Sequence, residues 1–327
     1  MSNKKENTPV TTQDNSPSLS NRFVGMVVKE IASTIGDAVE IPETQKRLAQ
    51  NYFVKLDSTL KDADIKRAAK KDADPIAITW GNVNMNKLAL DVMALTSVGL
   101  DPMQPNQVNM IPFKNKHTNQ YDVTFILGYR GIELKAKKYG LDVPDDVVVD
   151  LVYSNDHFKE IKKDAANNIA SYEFVVKNSF DRGDIIGGFY YHVFNSNPEK
   201  NKLVVFSIKD IEKRKPEYAS VEFWGGEKTK WENGKPTGKE HTEGWYKEMC
   251  YKTVYRAAWN DITIDGTKIH PEIANTLRNS DEDRVESMVS QEIKANANKE
   301  DLSFNTEFTD VTEEVVRADS NGQTSIV

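Results

Sequence analysis

Residues 107–140, QVNMIPFKNKHTNQYDVTFILGYRGIELKAKKYG, constrain the fold of this chain most tightly. Before Lys114, Val108 and Met110 alternate with Asn109, and Ile111 and Phe113 flank Pro112. After Gln120, Tyr121, Val123, Phe125 and Leu127 alternate with Asp122 and Thr124. Successive side chains of a strand point to opposite sides, so this period of two predicts two strands with one buried face each. The polar connection Lys-Asn-Lys-His-Thr-Asn-Gln makes the pair a hairpin, and Gly128-Tyr129-Arg130-Gly131 then ends the strand and opens a helix. Lys114, Lys116, Arg130, Lys135, Lys137 and Lys138 stand against Asp122 and Glu133, a local charge of +4 in a chain of net charge -7. A basic patch on an acidic chain predicts a polyanionic partner.

The acidity is concentrated at one end. Residues 281–327 hold twelve Asp or Glu and four Lys or Arg, a net of -8, so residues 1–280 carry +1. At 327 residues the chain buries a sizeable core as one large domain or two. No stretch approaches the ~18 apolar residues of a membrane span. Lys4 and Lys5 are followed by no apolar run, so the start does not read as a secretory signal. The single cysteine, Cys250, excludes an intramolecular disulfide and a Cys-rich metal site, and points to a reducing, cytoplasmic setting.

Four regions are expected: a disordered start over 1–20, a helical region over 21–75, a core over 76–270, and an acidic, largely flexible tail over 271–327. Residues 1–20 are rich in Ser, Thr, Asn and Pro. Phe23, Val27, Ile31 and Ile35 recur at helical spacing, and Pro42 separates that helix from a second with Leu48, Tyr52, Leu56 and Leu60. Asn84 or Asn86 caps a third helix that closes at Gly99. Residues 147–153, 172–177, 185–194 and 203–207 read as strands, and the last three as consecutive antiparallel neighbours joined by short turns. Ser207 with Asp210 predicts a capping box. Residues 216–240, rich in glycine, proline and lysine, read as a long mobile loop.

A helix over 242–260 has two faces at ~100° per residue. Tyr246, Cys250, Val254, Ala257 and Ala258 form a core face. Trp245, Met249, Lys252, Arg256 and Trp259 share another, where cations hold phosphates and aromatic rings stack on bases. The same pattern fits core tryptophans with cations snorkelling at the rim. Arg130, between two glycines at a strand–helix junction, suits an anion that helix-terminal N–H groups also bind.

Enzyme patterns are weak. No GxxxxGK[ST] phosphate loop occurs, so no ATP site is visible. The five histidines are far apart and no nucleophile elbow occurs. Pro144-Asp145 with Glu160-Ile161-Lys162 fits a metal-dependent nuclease, in which carboxylates hold Mg²⁺ and a lysine activates water. Asp156 to Asn168 is otherwise a polar stretch rather than a buried strand that would fix the geometry.

At these residues the chain resembles the RecT / Red-beta phage recombinases, the single-strand annealing proteins. The resemblance rests on Val98-Gly99-Leu100-Asp101-Pro102, on Ile111-Pro112-Phe113 with Ile126-Leu127-Gly128-Tyr129-Arg130-Gly131, and on Glu248-Met249, Lys252-Thr253 and Arg256. It covers residues 85–140 and 200–260 best. The family often has a second basic residue where Ala257 stands, so no DNA contact is placed there. The resemblance implies ATP-independent annealing in homologous recombination, with no required cofactor and with Mg²⁺ helping. It implies rings or helical filaments on DNA, a phage 5′→3′ exonuclease as partner, and contact with host single-strand binding protein. It implies an α+β core in which a small antiparallel sheet with its hairpin packs on helices, similar to eukaryotic annealing proteins of the Rad-fifty-two type. The expected DNA-binding residues are Lys114, Lys116, Tyr129, Arg130, Lys135, Trp245, Lys252 and Arg256. A metal-dependent nuclease and a purely protective single-strand binder stay open as alternatives.

Overall fold

The computed structural model describes residues 18–35, 42–71, 73–217, 219–232 and 235–280. In chain order it runs α1 (Leu19–Ile35), α2 (Glu43–Ala68), α3 (Met85–Val98), β1 (Val108–Asn115), β2 (Gln120–Leu127), α4 (Tyr129–Tyr139), β3 (Asp146–Tyr153), β4 (His157–Ile161) and β5 (Ser171–Val175). Then come β6 (Ile185–Val193), β7 (Lys202–Ser207), α5 (Ile208–Glu212), α6 (Val221–Trp224), β8 (Gly226–Glu232), β9 (Lys235–Thr242), α7 (Tyr246–Asn260) and α8 (Pro271–Asn279). The fold is α+β, with helices first and small antiparallel sheets after them.

Local chemistry sets the early elements. The Asn84 side chain accepts from the Lys87 backbone N–H and caps α3, and Gly99 closes that helix at φ 93°, where a side chain would be strained. β1 and β2 pair in register from Val108 opposite Leu127 to Asn115 opposite Gln120. The alternation holds: Tyr121, Val123, Phe125 and Leu127 are all buried. Phe23, Val27 and Ile31 of α1, Tyr52, Leu56 and Leu60 of α2, and Leu88, Val92 and Leu95 of α3 join them in one core. Phe53 stacks on Trp80 at 5.0 Å, and Phe125 meets Tyr52 edge-on at 5.9 Å. The N-terminal helices and the hairpin therefore share a core across the expected boundary at 75.

Residues 271–279, expected to open the acidic tail, form α8. Ile273 and Leu277 of α8 lie in the same core, because their four-residue spacing puts both on one face. Pro271 opens α8, where its missing N–H costs nothing. The Leu127 N–H donates to the Ser280 carbonyl at 3.3 Å. The expected disorder of the first residues and the flexible tail from 281 onward lie outside the described residues.

A second core forms around the sheet β3-β6-β7, all antiparallel. Alternation on β6 sends Tyr190 and His192 towards α7, where the His192 Nε2 lies 3.0 Å from the Ala258 carbonyl oxygen. On the opposite face Phe189 is surrounded by Phe158, Tyr172 and Phe174 at 4.9, 4.7 and 5.4 Å. These rings come from a β4–β5 hairpin laid over the sheet. The expected pairing of β5 with β6 does not form: β6 pairs with β3 and β7, and β5 pairs with β4. Face-on stacking covers the rings of Phe158, Tyr172 and Phe174, which side-by-side pairing would leave exposed. β4, read as an irregular polar stretch, is a strand anchored by Phe158. The expected loop over 216–240 is also a structured region, with α6 and the hairpin β8–β9, Gly226 opposite Thr242.

α7 belongs to both cores. Cys250, Val254 and Ala258 lie in the second and Trp259 in the first.

Candidate nucleic-acid interface

Ser207 and Asp210 form the predicted capping box: Ser207 Oγ accepts from the Asp210 N–H, and Asp210 Oδ2 accepts from the Ser207 N–H at 3.0 Å. α5 is short, and Lys213, Arg214 and Lys215 follow at its C-terminal end, where exposed carbonyls favour positive charge. These three form one wall of a cleft of about 590 Å³. Lys252 and Arg256 of α7 form the other wall, with Glu217 as a carboxylate on the lining. Trp224 of α6 also lines it; the residue is 5 % exposed, and its Nε1 is buried with no hydrogen-bond partner among the described residues. The Lys215 Nζ lies 5.9 Å from the Trp224 ring. Five cations and one carboxylate line the cleft, a charge balance that suits an anion with several oxygens, such as a phosphate.

A second cleft, of about 530 Å³, opens along the same helix and shares Met249 and Lys252 with the first. Its lining is aromatic: Tyr129, Tyr153, Phe223, Trp245 and Tyr251. Trp245, 61 % exposed, is positioned by its N–H, which donates to the Phe223 carbonyl at 2.9 Å. Tyr129 stands edge-on to Tyr255 at 5.4 Å, and its hydroxyl accepts from the Asn106 amide at 3.3 Å. Tyr153 lies under Arg182, whose guanidinium carbon is 4.1 Å from the ring and which pairs with Asp156 at 2.6 Å. Burial pushes the Asp156 carboxyl up, but the Arg182 hydrogen bonds and the Tyr153 N–H outweigh it and hold it below the usual range.

The Gly-Tyr-Arg-Gly motif has a steric basis. A Cβ on Gly128 would lie 2.1 Å from the Asn106 carbonyl oxygen, and one on Gly131 2.1 Å from that of Gln107. The chain at 106–107 therefore crosses the start of α4 in direct contact, and Asn106 takes φ 62°, which asparagine tolerates. The Gly128 N–H donates to Gln107 at 3.0 Å and the Arg130 N–H to Asn106 at 3.1 Å. Of the N–H groups at this junction that were expected to join Arg130 in binding an anion, those of Gly128 and Arg130 are taken by the chain itself. The Arg130 side chain is exposed, 5.7 Å from the Tyr129 ring.

The structure brings Lys252 and Arg256 into the basic cleft and Tyr129, Trp245 and Lys252 into the aromatic one. Arg256 also reaches the Leu127 carbonyl at 3.5 Å. Lys135 on α4 lines neither cleft. Lys114 and Lys116 stand at the far end of the hairpin from Leu127, about 20 Å away at the rise of a strand. Lys114 is engaged there by an ion pair with Asp74, while Lys116 is exposed. Trp259, read as a surface for stacking, is 6 % exposed and sits in the core beneath Lys137, whose Nζ is 5.1 Å from the ring. Of the nuclease pattern, Asp145 accepts from the Asn195 N–H at 2.7 Å and Glu160 pairs with Lys162 at 3.4 Å. Sequence reasoning missed Lys213, Arg214, Lys215 and Trp224. The charge run was visible, but only α6 and α7 make it a cleft.

No curated protein and no solved structure matches the chain. The model of the RecT family matches residues 79–294, a span that takes in the hairpin, the glycine crossing and both clefts. On that match the chain belongs to the RecT family, the single-strand DNA annealing proteins of phage recombination.

Proposed function

We propose that the basic cleft holds the phosphates of single-stranded DNA while a complementary strand pairs with its bases, in an assembly of several copies and without ATP. The observation that carries this reading is the set of five cations, with one opposing carboxylate, that line one cleft between residues 213–215 and α7. Contacts to phosphate carry no sequence information, which an activity on any pair of complements requires. Arg130, Lys116 and Lys135, which lie outside the cleft, are proposed as further phosphate contacts; at Lys114 a phosphate would have to displace Asp74. Mg²⁺ would help by screening two strands from each other. A 5′→3′ exonuclease supplies such strands, and host single-strand binding protein coats them, so both are proposed partners in a bacterial cytoplasm. Among the described residues no helix is long and apolar enough to cross a membrane.

Binding of fluorescent oligonucleotides across a salt series tests this. Lys215→Ala and Lys252→Ala should each weaken binding equally on every sequence and flatten the slope of log K against log salt by about 0.7. Unchanged affinity and slope in both folded variants would refute the assignment. Mixed complements that pair no faster than naked strands would leave a protective binder. Cleavage of linear DNA in Mg²⁺ that disappears in Glu160→Ala would establish the nuclease.

A further inference from the structure

We infer that the aromatic cleft is a nucleobase site: it takes an unpaired base of the strand whose phosphates lie in the neighbouring basic cleft. The inference rests on that phosphate assignment and adds to it where the base goes.

Three observations carry it. The two clefts adjoin, since Met249 and Lys252 line both, so a strand held by Lys252 would have its next groups beside the aromatic cleft. The lining then changes chemistry. Five aromatic rings replace the dense cations of the basic cleft, and Asp150 and Glu248 stand among them with Arg182, Lys247 and Lys252, so the lining offers acceptors for the amino and imino N–H groups of a base as well as donors for its carbonyls. The volume of about 530 Å³ exceeds that of a single base, and Trp245 and Tyr251 are exposed enough to stack on one. The third observation concerns Tyr153 in the wall. The residue is 7 % exposed, and its hydroxyl is buried with no hydrogen-bond partner among the described residues. An unmet buried hydroxyl is costly, and a base that displaced the groups covering it would meet it with a ring nitrogen or carbonyl. Every base has a π-face, so stacking here is compatible with any sequence.

Such a site holds the strand unstacked at intervals. It would keep single-stranded bases from folding back on one another and present the intervening ones to a complement.

The test compares oligothymidylate with a fully abasic oligonucleotide of the same length, which keeps every phosphate and has no base. The full chain should bind oligothymidylate on the order of tenfold more tightly than the abasic strand. Trp245→Ala/Tyr251→Ala should cut that ratio to about twofold or less while the abasic affinity and its salt slope stay as in the parent. Trp245→Phe/Tyr251→Phe should restore the ratio, and both side chains are exposed enough for the variants to fold, which their melting temperatures check. A ratio unchanged in the alanine variant overturns the inference. A fall on both strands with a flatter salt slope also overturns it, placing these residues among the phosphate contacts and leaving the basic cleft assignment standing. Loss of self-association without DNA, with the ratio intact, assigns the cleft to a second copy of the chain. No binding of either strand by the parent protein would remove the phosphate reading and this one together.

Discussion

The Tyr255 hydroxyl donates a 2.6 Å hydrogen bond to Glu133, joining α7 to α4. Glu133 also accepts from Lys137 at 2.7 Å. The Tyr255 ring touches Tyr129 at 5.4 Å and Tyr251 at 6.0 Å, so this pair lies behind two walls of the aromatic cleft.

The pair gives stability a pH dependence of known sign. Burial pushes the Glu133 carboxyl up, but the hydrogen bonds from Lys137 and Tyr255 outweigh it and leave the group below its ordinary value. A carboxyl depressed in the folded state stabilises above its unfolded pKa, and that contribution is lost as pH falls through the folded value. Glu133→Gln should therefore melt below the parent at pH 7, with the gap closing as pH drops below about 4. Tyr255→Phe should cost about 1 kcal/mol. Thermal unfolding of both across pH checks this; a Glu133→Gln gap of equal size at pH 7 and pH 3.5 contradicts it.

Gly131→Ala should be among the most damaging single changes to the hairpin. Its Cβ would fall 2.1 Å from a backbone oxygen rather than the end of a flexible side chain, so the 106–107 crossing must move. A loss of about 3 kcal/mol or more in denaturant unfolding is expected. A loss under about 1 kcal/mol would mean the crossing yields freely.

The hairpin and its motif were legible for a physical reason: Tyr121 to Leu127 alternate because one face is buried, and the glycines punctuate because backbone meets backbone. The two-faced α7 was legible from its 3.6-residue period, except at Trp259, whose burial is decided by core residues far away in sequence. β8–β9 was not legible, because its lysines, threonines and glutamates carry no apolar alternation. The pairing of β5 was missed because turn length does not say whether a strand joins a sheet or lies over it. The basic cleft depends on α6 bringing Trp224 beside residues 213–215, a contact that no local pattern encodes.

Cys250 should be inert in the native protein. Its thiol is fully buried, and that burial pushes its pKa up to about 11, so little thiolate exists at neutral pH. A colorimetric thiol reagent at pH 8 should find almost no reactive group in minutes under native conditions and one per chain in denaturant. Fast native labelling would show that α7 opens from the second core.

The acidic segment 281–327 should compete with DNA. It follows Ser280 in the chain, whose carbonyl accepts from Leu127, and the Leu127 carbonyl is the one Arg256 reaches. Its net charge of -8 is thus tethered beside the basic cleft at high effective concentration. Deleting 281–327 while keeping α8 should raise single-strand affinity severalfold at low salt and little at high salt. If bare strands anneal as before but strands coated with host single-strand binding protein do not, the segment docks that partner instead. If folding is lost, the segment belongs to the core.

α7 packs against both cores, and this makes it a gauge. From Trp245, just before its first turn, to Arg256 is about 16 Å at the rise of a helix. On the proposed reading, a strand lying along it would be measured in lengths of backbone set by the protein, not in base identity. Each copy added to an assembly would repeat the same span, so purine-rich and pyrimidine-rich strands would be laid out in one frame and complements would meet in step.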